Sequence, residues 1–250
     1  MKTSKFLSVV MLFVALSFGF VSCDINKGNE PNDPNDNGEE SPITDIYNGY
    51  AYVDLGLSVK WATCNVGADS PEEYGDYFAW GEVEPKEDYS WSTYKWCENK
   101  KVNENNNWPL DYTKYCTESD CGIVDNKVVL DKEDDAAAVN MGGVWRMPTY
   151  DEQLELREGC IITTTESYNG TGVAGVILTS KINGNYIFLP AAGERSGTGY
   201  SSQGYYAIYW SSSLNGTSYA ESLGMSVYNE PFSKLYLGRG IGQPVRGVCE

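Results

Sequence analysis

Apolar residues are spaced in three ways along this chain, and each spacing predicts a different kind of segment. Lys2 and Lys5 precede a run from Phe6 to Phe20 broken only by Ser8, Ser17 and Gly19. A basic start followed by fifteen apolar-rich residues is too short for a membrane-spanning helix and reads as a secretion signal, residues 1–22. From Asp24 to Asp45 apolar residues almost vanish. These 22 residues hold seven acids, five Asn, three Pro and two aliphatic residues. Such a stretch cannot bury a core, so residues 23–45 read as an acidic tether. As a random coil it would reach about 26 Å. From Ile46 onward short apolar runs alternate with turn residues, which predicts one domain over 46–250.

Within that domain most runs have the length of strands. Tyr50–Leu55 and Leu57–Ala62 flank Gly56, and Asp76–Trp80 carries Tyr77, Phe78 and Trp80. Val176–Ile182 and Tyr186–Ala191 are joined by Asn183-Gly184, a strong hairpin signal. Tyr206–Trp210, Leu223–Tyr228, Lys234–Leu237 and Gln243–Cys249 complete the strand candidates. Two short helices are expected between these groups. Asp131 can cap the first, which runs through Val139 to Gly142-Gly143. Thr149 and Glu152 form a T-x-x-E capping box for the second, which ends near Arg157 and Gly159. Strands, two helices and then many strands predict an α+β domain with antiparallel sheets and long irregular loops. Lys95–Val128, polar and rich in Asn, is expected to be one such loop.

Composition removes several functions. The 250 residues carry 35 acids, 18 basic residues and no histidine, a formal charge of −17. That sign opposes nucleic-acid binding, which rests on basic groups displacing phosphate counterions. Without histidine there is no Ser-His-Asp or Cys-His relay and no histidine-ligated zinc. Six cysteines follow Cys23: Cys64, Cys97, Cys116, Cys121, Cys160 and Cys249. In an exported chain an even number favours disulfides over a metal cluster, and no CxxC pair supports zinc. Pairing stays open among fifteen full sets, with Cys97–Cys116 as one expectation. No cofactor is called for, and no metal site or catalytic residue stands out.

Val21-Ser22-Cys23 resembles the lipobox of bacterial lipoproteins. The resemblance implies that Cys23 is lipidated (palmitate being a common acyl group) and begins the mature chain, with the membrane reached only through that anchor. The acidic residues just after it resemble surface-export signals of lipoproteins in the Bacteroidetes. An outer-membrane lipoprotein exposed at the cell surface is the location implied. Further on, Val53–Ala68, Tyr74–Glu82, Trp145–Thr149, Phe188–Gly193, Tyr209–Ser213 and Pro244–Cys249 resemble motifs of the Fibrobacter succinogenes major paralogous domain. That family's architecture is similar to the C-type-lectin-like fold, which formylglycine-generating enzymes share. Arg146-Met147-Pro148-Thr149 matches the opening of the core helix in that fold, with Gln153 where the enzymes have tryptophan. The enzymes' late cysteine pair is missing, since only Cys249 lies beyond Cys160. Nor is there a Trp-Asn-Asp calcium motif of sugar-binding lectins. The resemblance therefore implies a scaffold without the chemistry.

One stretch departs from the acidic remainder. From Ser196 to Gly242, 27 of 47 residues are Ser, Gly, Tyr or Asn and four are charged. Tyrosine offers rigid contact area with a polar tip, while Ser, Gly and Asn adapt their hydrogen bonds, as in antibody paratopes. Tyr200, Tyr205, Tyr206, Tyr219, Tyr228 and Tyr236 are the candidate ligand contacts, with Arg239 as a polar anchor; Tyr209 and Trp210 read as core. The expected function is adhesin-like recognition of an extracellular glycan or protein, without catalysis. Two alternatives stand beside it. Paired carboxylates could process glycans without histidine, and an aromatic edge could serve a structural subunit of a surface assembly.

Overall fold

The computed structural model describes residues 44–98, 111–216, 218–228 and 233–250. The secretion signal, Cys23 and most of the tether lie outside the described residues. The elements in chain order are β1 (Thr44–Tyr47), β2 (Tyr50–Val53), β3 (Lys60–Asn65), β4 (Tyr77–Phe78), α1 (Ala136–Met141), α2 (Tyr150–Gly159) and β5 (Cys160–Thr165). They continue with β6 (Gly175–Ser180), β7 (Tyr186–Pro190), β8 (Glu194–Ser196), β9 (Gly199–Ser201), β10 (Tyr206–Asn215), β11 (Tyr219–Ser226), β12 (Ser233–Gly238), β13 (Gln243–Pro244) and β14 (Arg246–Cys249). The fold is α+β: two short helices accompany antiparallel sheets ordered β1-β2-β3-β14, β5-β6-β7 and β10-β11-β12, with two-stranded ribbons β4-β13 and β8-β9.

Strand β1 was not expected. It covers Thr44 and Asp45, which read as tether, and every one of its residues is exposed. Its register comes from pairing with β2, Ile46 opposite Ala51. Beyond it, the apolar positions fill two main clusters. Val53, Leu55, Trp61, Leu156, Val176, Leu178, Ile187, Leu189, Tyr209, Met225 and Val248 pack where β3, α2, β6, β7 and β10 meet. Phe78, Trp80, Tyr115, Met141, Trp145, Trp210 and Val245 form the other. Trp80 Nε1 donates to Ser211 O at 2.9 Å and Trp210 Nε1 to Phe78 O at 2.8 Å. These reciprocal bonds satisfy two buried indole donors while fixing β4 against β10.

The second helix starts as its sequence dictates. Thr149 Oγ1 accepts from Glu152 N at 3.3 Å, and Glu152 Oε2 accepts from Thr149 N at 2.8 Å. The same carboxylate takes Arg146 as a fork, at 2.7 and 2.6 Å. Cap and ion pair thus share one side chain. Buried inside α2, Gln153 donates from Nε2 to Tyr209 O and Trp210 O. At that point β10 loses register with β11, between Trp210 and Leu214. The amide therefore occupies carbonyls where the ladder is irregular, which accounts for a glutamine in a core position.

The first helix begins later than expected. Asp131 opens only a 3-10 turn, Lys132–Asp134, without a side-chain cap bond. The cap is Asp135, whose Oδ1 accepts from Ala138 N at 2.9 Å. Both its oxygens also accept from Met147 N, at 3.0 and 2.8 Å. One buried carboxylate thereby joins the start of α1 to the segment leading into α2.

The expected Cys97–Cys116 bridge is absent. Neither Cys97 nor Cys116 is in a disulfide, and the same holds for Cys121, Cys160 and Cys249. Cys97 faces Tyr112 across an isolated bridge, and its Sγ donates to Asp111 Oδ1 at 2.7 Å. Cys116 instead points into its own turn and donates to Glu118 O at 3.1 Å. The polar segment 111–128 is held by backbone bonds and by Asp125, which accepts from the amides of Tyr115 and Cys116.

Candidate functional site

The tyrosine-rich segment forms the β8-β9 ribbon and the β10-β11-β12 sheet. Gly193 makes their junction possible. A Cβ there would lie 2.1 Å from Ser201 O and 2.6 Å from Gln203 N, and its φ is +64°. Only glycine adopts that backbone without strain while letting two chain segments approach this closely. Around it, Gly193 N donates to Tyr206 O, Gly204 N to Ala191 O and Val227 N to Tyr205 O, at 2.7 to 3.0 Å. Three passes of chain therefore converge: the end of β7, the turn from β9 into β10, and the end of β11. Gln203 reinforces the corner by donating to Tyr77 Oη at 3.0 Å, while Tyr77 donates to Ala192 O at 2.6 Å.

This convergence brings Tyr205, Tyr206 and Tyr228 to one corner. Tyr206 pairs with Ser226 at the start of β10. The rings of Tyr205 and Tyr228 stand 5.4 Å apart with a 50° tilt. The exposures of Tyr205, Tyr206 and Tyr228 are 59%, 41% and 53%. A buried packing role would have hidden rings of this size. Tyr200, also exposed, lies on β9 just ahead of the turn. It covers one face of the Arg195 guanidinium at 4.7 Å, with Tyr89 at 4.9 Å. Arg195 is fixed by donation to Lys86 O and Glu87 O, both at 3.0 Å. The cation thus holds Tyr200 in place from below.

The other candidates do not join this corner. Tyr219 is half-buried and pairs with Gly238 at the opposite end of β11. Seven residues separate it from Ser226, a distance of about 23 Å along a strand. Tyr236 is exposed but stands opposite Glu221, midway along the sheet. Arg239 is overturned as a surface anchor, being 0% exposed. Its Nε donates to Tyr94 Oη, and its two amino nitrogens donate to Tyr115 O and Lys114 O, at 2.9 to 3.0 Å. Trp80, Tyr94, Tyr112 and Tyr115 place their rings 4.4 to 6.0 Å from the guanidinium carbon. A buried arginine among aromatic rings and carbonyls is a framework group, closed to any ligand. Tyr209 and Trp210 are core, as expected.

Two further features were missed in the sequence. A pocket of about 350 Å³ opens between α1, the Gly143–Thr149 segment and β10, lined by Val129, Leu130, Val144, Trp145 and Met147 among others. Asp135 borders it, and burial pushes its carboxyl up to about 6 despite the amides that it accepts from. Those backbone bonds occupy both oxygens, so the carboxylate is committed to the fold and is poorly placed for acid–base work. The second feature is an acidic trio, Asp131, Glu133 and Asp134, whose ligand atoms lie within 4.8 Å of one another. Lys114 Nζ sits 2.6, 3.9 and 2.5 Å from the three. An ammonium already fills the position that a cation would take. Among the described residues no helix is long and apolar enough to cross a membrane. No family model, curated protein or solved structure matches the chain.

Proposed function

We propose that this chain is a surface-tethered, non-catalytic binding protein whose C-type-lectin-like domain recognises an extracellular glycan or protein through Tyr205, Tyr206 and Tyr228, with Tyr200 as a neighbouring contact. A single observation carries the reading: the exposed rings of Tyr205 and Tyr228 stand 5.4 Å apart, beside the exposed Tyr206, at a hydrogen-bonded corner of a stretch rich in Ser, Gly and Tyr. Aromatic faces stack on the C–H faces of sugar rings or on apolar protein surface, and their hydroxyls add directional bonds. Fixed backbone beneath them lowers the ordering cost of binding. The acidic field of the chain disfavours anionic ligands and leaves neutral glycans and basic protein surfaces as the matching classes. Lipidation at Cys23 and display at the outer membrane complete the proposal and rest on the lipobox resemblance alone.

The test is saturable binding of residues 24–250 to arrayed neutral glycans and to extracellular proteins, with Tyr205→Ala and Tyr228→Ala variants alongside. The expected loss for the pair is about tenfold or more, roughly 1.4 kcal/mol, at unchanged thermal stability. Turnover of a polysaccharide that disappears on replacing a single carboxylate, at unchanged thermal stability, would replace this reading with the carboxylate-dependent enzyme.

A further inference from the structure

We infer that Cys116 and Cys121 form a redox-sensitive pair, and that a disulfide donor converts them to a bridge closing the Cys116–Cys121 turn. Three observations bring the two thiols together. Glu118 O accepts from Cys116 Sγ at 3.1 Å and from Cys121 N at 3.1 Å, so one carbonyl oxygen touches both residues. The Cys121 thiol is turned toward the same residue, with its Sγ 3.9 Å from Glu118 Oε2. Both cysteines also pack in the cluster formed by Tyr94, Tyr112 and Cys97. Cys97 is the wrong partner. It lies across Tyr112 in an antiparallel bridge, and its Sγ is turned to Asp111, donating to Oδ1 at 2.7 Å, whereas Cys116 and Cys121 both turn to Glu118.

The two thiols differ in access, which sets the order of events. Cys121 is half-buried and Cys116 is fully buried. The Cys121 thiolate attacks a sulfur of a small-molecule disulfide or of a thioredoxin-fold donor, breaking that S–S bond and releasing one donor thiolate. The Cys116 thiolate then attacks the Cys121 sulfur of the mixed disulfide and releases the second. The donor gains two electrons, the cysteine pair loses two, and the two thiol protons pass to solvent or to the released thiolates. Burial, reinforced by Asp120 and Glu118, pushes the Cys121 thiol up to about 11. The first attack is accordingly slow at neutral pH and faster in alkali.

The bridge would lie in the turn following Lys114 and Tyr115, whose carbonyls receive Arg239. Oxidation would therefore brace the segment that holds the buried guanidinium. The experiment is peptide mapping of the full chain, purified under reducing conditions and then exposed to oxidised glutathione at pH 7 and pH 9. The expected product is a Cys116–Cys121 linkage that forms faster at pH 9 and resists alkylation, with Cys97 still alkylated after unfolding. Cys97→Ser should form it unchanged. Linkage through Cys97, or full alkylation of Cys116 and Cys121 after oxidation, would overturn the inference. Because the readout is the wild-type chain, it does not depend on a buried cysteine variant folding, nor on any ligand binding at the tyrosine corner.

Discussion

Asp135 and Gly193 show how much individual side chains decide here. Asp135→Ala removes the α1 cap and leaves Met147 N without its acceptors. A lost cap and a stranded buried amide together should cost about 2–4 kcal/mol, read by urea unfolding at pH 7. Protonation gives the effect a pH signature. The folded carboxyl is raised to about 6 from 3.8, so between those values the folded chain binds more protons than the unfolded one. Its contribution to stability therefore grows as pH falls through that window. The gap between wild type and Asp135→Ala should widen by about 2 kcal/mol from pH 7 to pH 4.5. Glu152 has the opposite sign. Burial raises its carboxyl, but Arg146 and the Thr149 amide outweigh burial and hold it below the usual range. At Gly193, alanine would meet Ser201 O and force a positive φ. Gly193→Ala should destabilise by about 2–3 kcal/mol and weaken ligand binding together, because the same junction sets the tyrosine corner.

Elements were legible in the sequence where the signal was local. The Thr149–Glu152 box, the end of α2 at Gly159 and the Asn183-Gly184 hairpin all depend on residues within a few positions, and all three occur. Thr149→Ala should cost about 1 kcal/mol and lower Tm by about 2–4 °C, measured by calorimetry. The failures are equally physical. Strand β1 has no buried face, so alternation could not announce it; its partner β2 supplies the register. The α1 cap moved from Asp131 to Asp135 because Met147, twelve residues on, recruits the second carboxylate. Both acids are plausible caps locally, and only the long-range bond separates them. The absence of the Cys97–Cys116 bridge was hidden as well, since each thiol's direction is set by its own acceptor, Asp111 for Cys97 and the Glu118 carbonyl for Cys116.

Across the whole molecule, two buried guanidiniums join segments distant in sequence. Arg239 ties the end of β12 to the Tyr94–Tyr115 region, and Arg246 donates to Asn65 Oδ1, Ala62 O, Thr63 O and Phe188 O at 2.8 to 3.0 Å. Removing Arg246 by Ala substitution strands four acceptors and should cost about 3–5 kcal/mol by chemical denaturation. An arginine among Ser, Gly and Tyr reads as a surface group, and for Arg239 that reading failed. Its aromatic surroundings come from residues more than a hundred positions earlier. The candidate tyrosines divide in space: Tyr205 and Tyr228 meet at one corner, with Tyr206 and Tyr200 beside them in the chain, while strand register places Tyr219 and Tyr236 elsewhere on the sheet.

That division makes the decisive measurement a comparison of two double variants of residues 24–250 on whichever ligand the wild type binds. Equilibrium binding should fall about tenfold or more for Tyr205→Ala/Tyr228→Ala. It should stay within about twofold of wild type for Tyr219→Ala/Tyr236→Ala, with matching circular dichroism and Tm in both. Undiminished binding by the first variant, with loss in the second, would contradict the account and move the contact surface to the far end of the sheet.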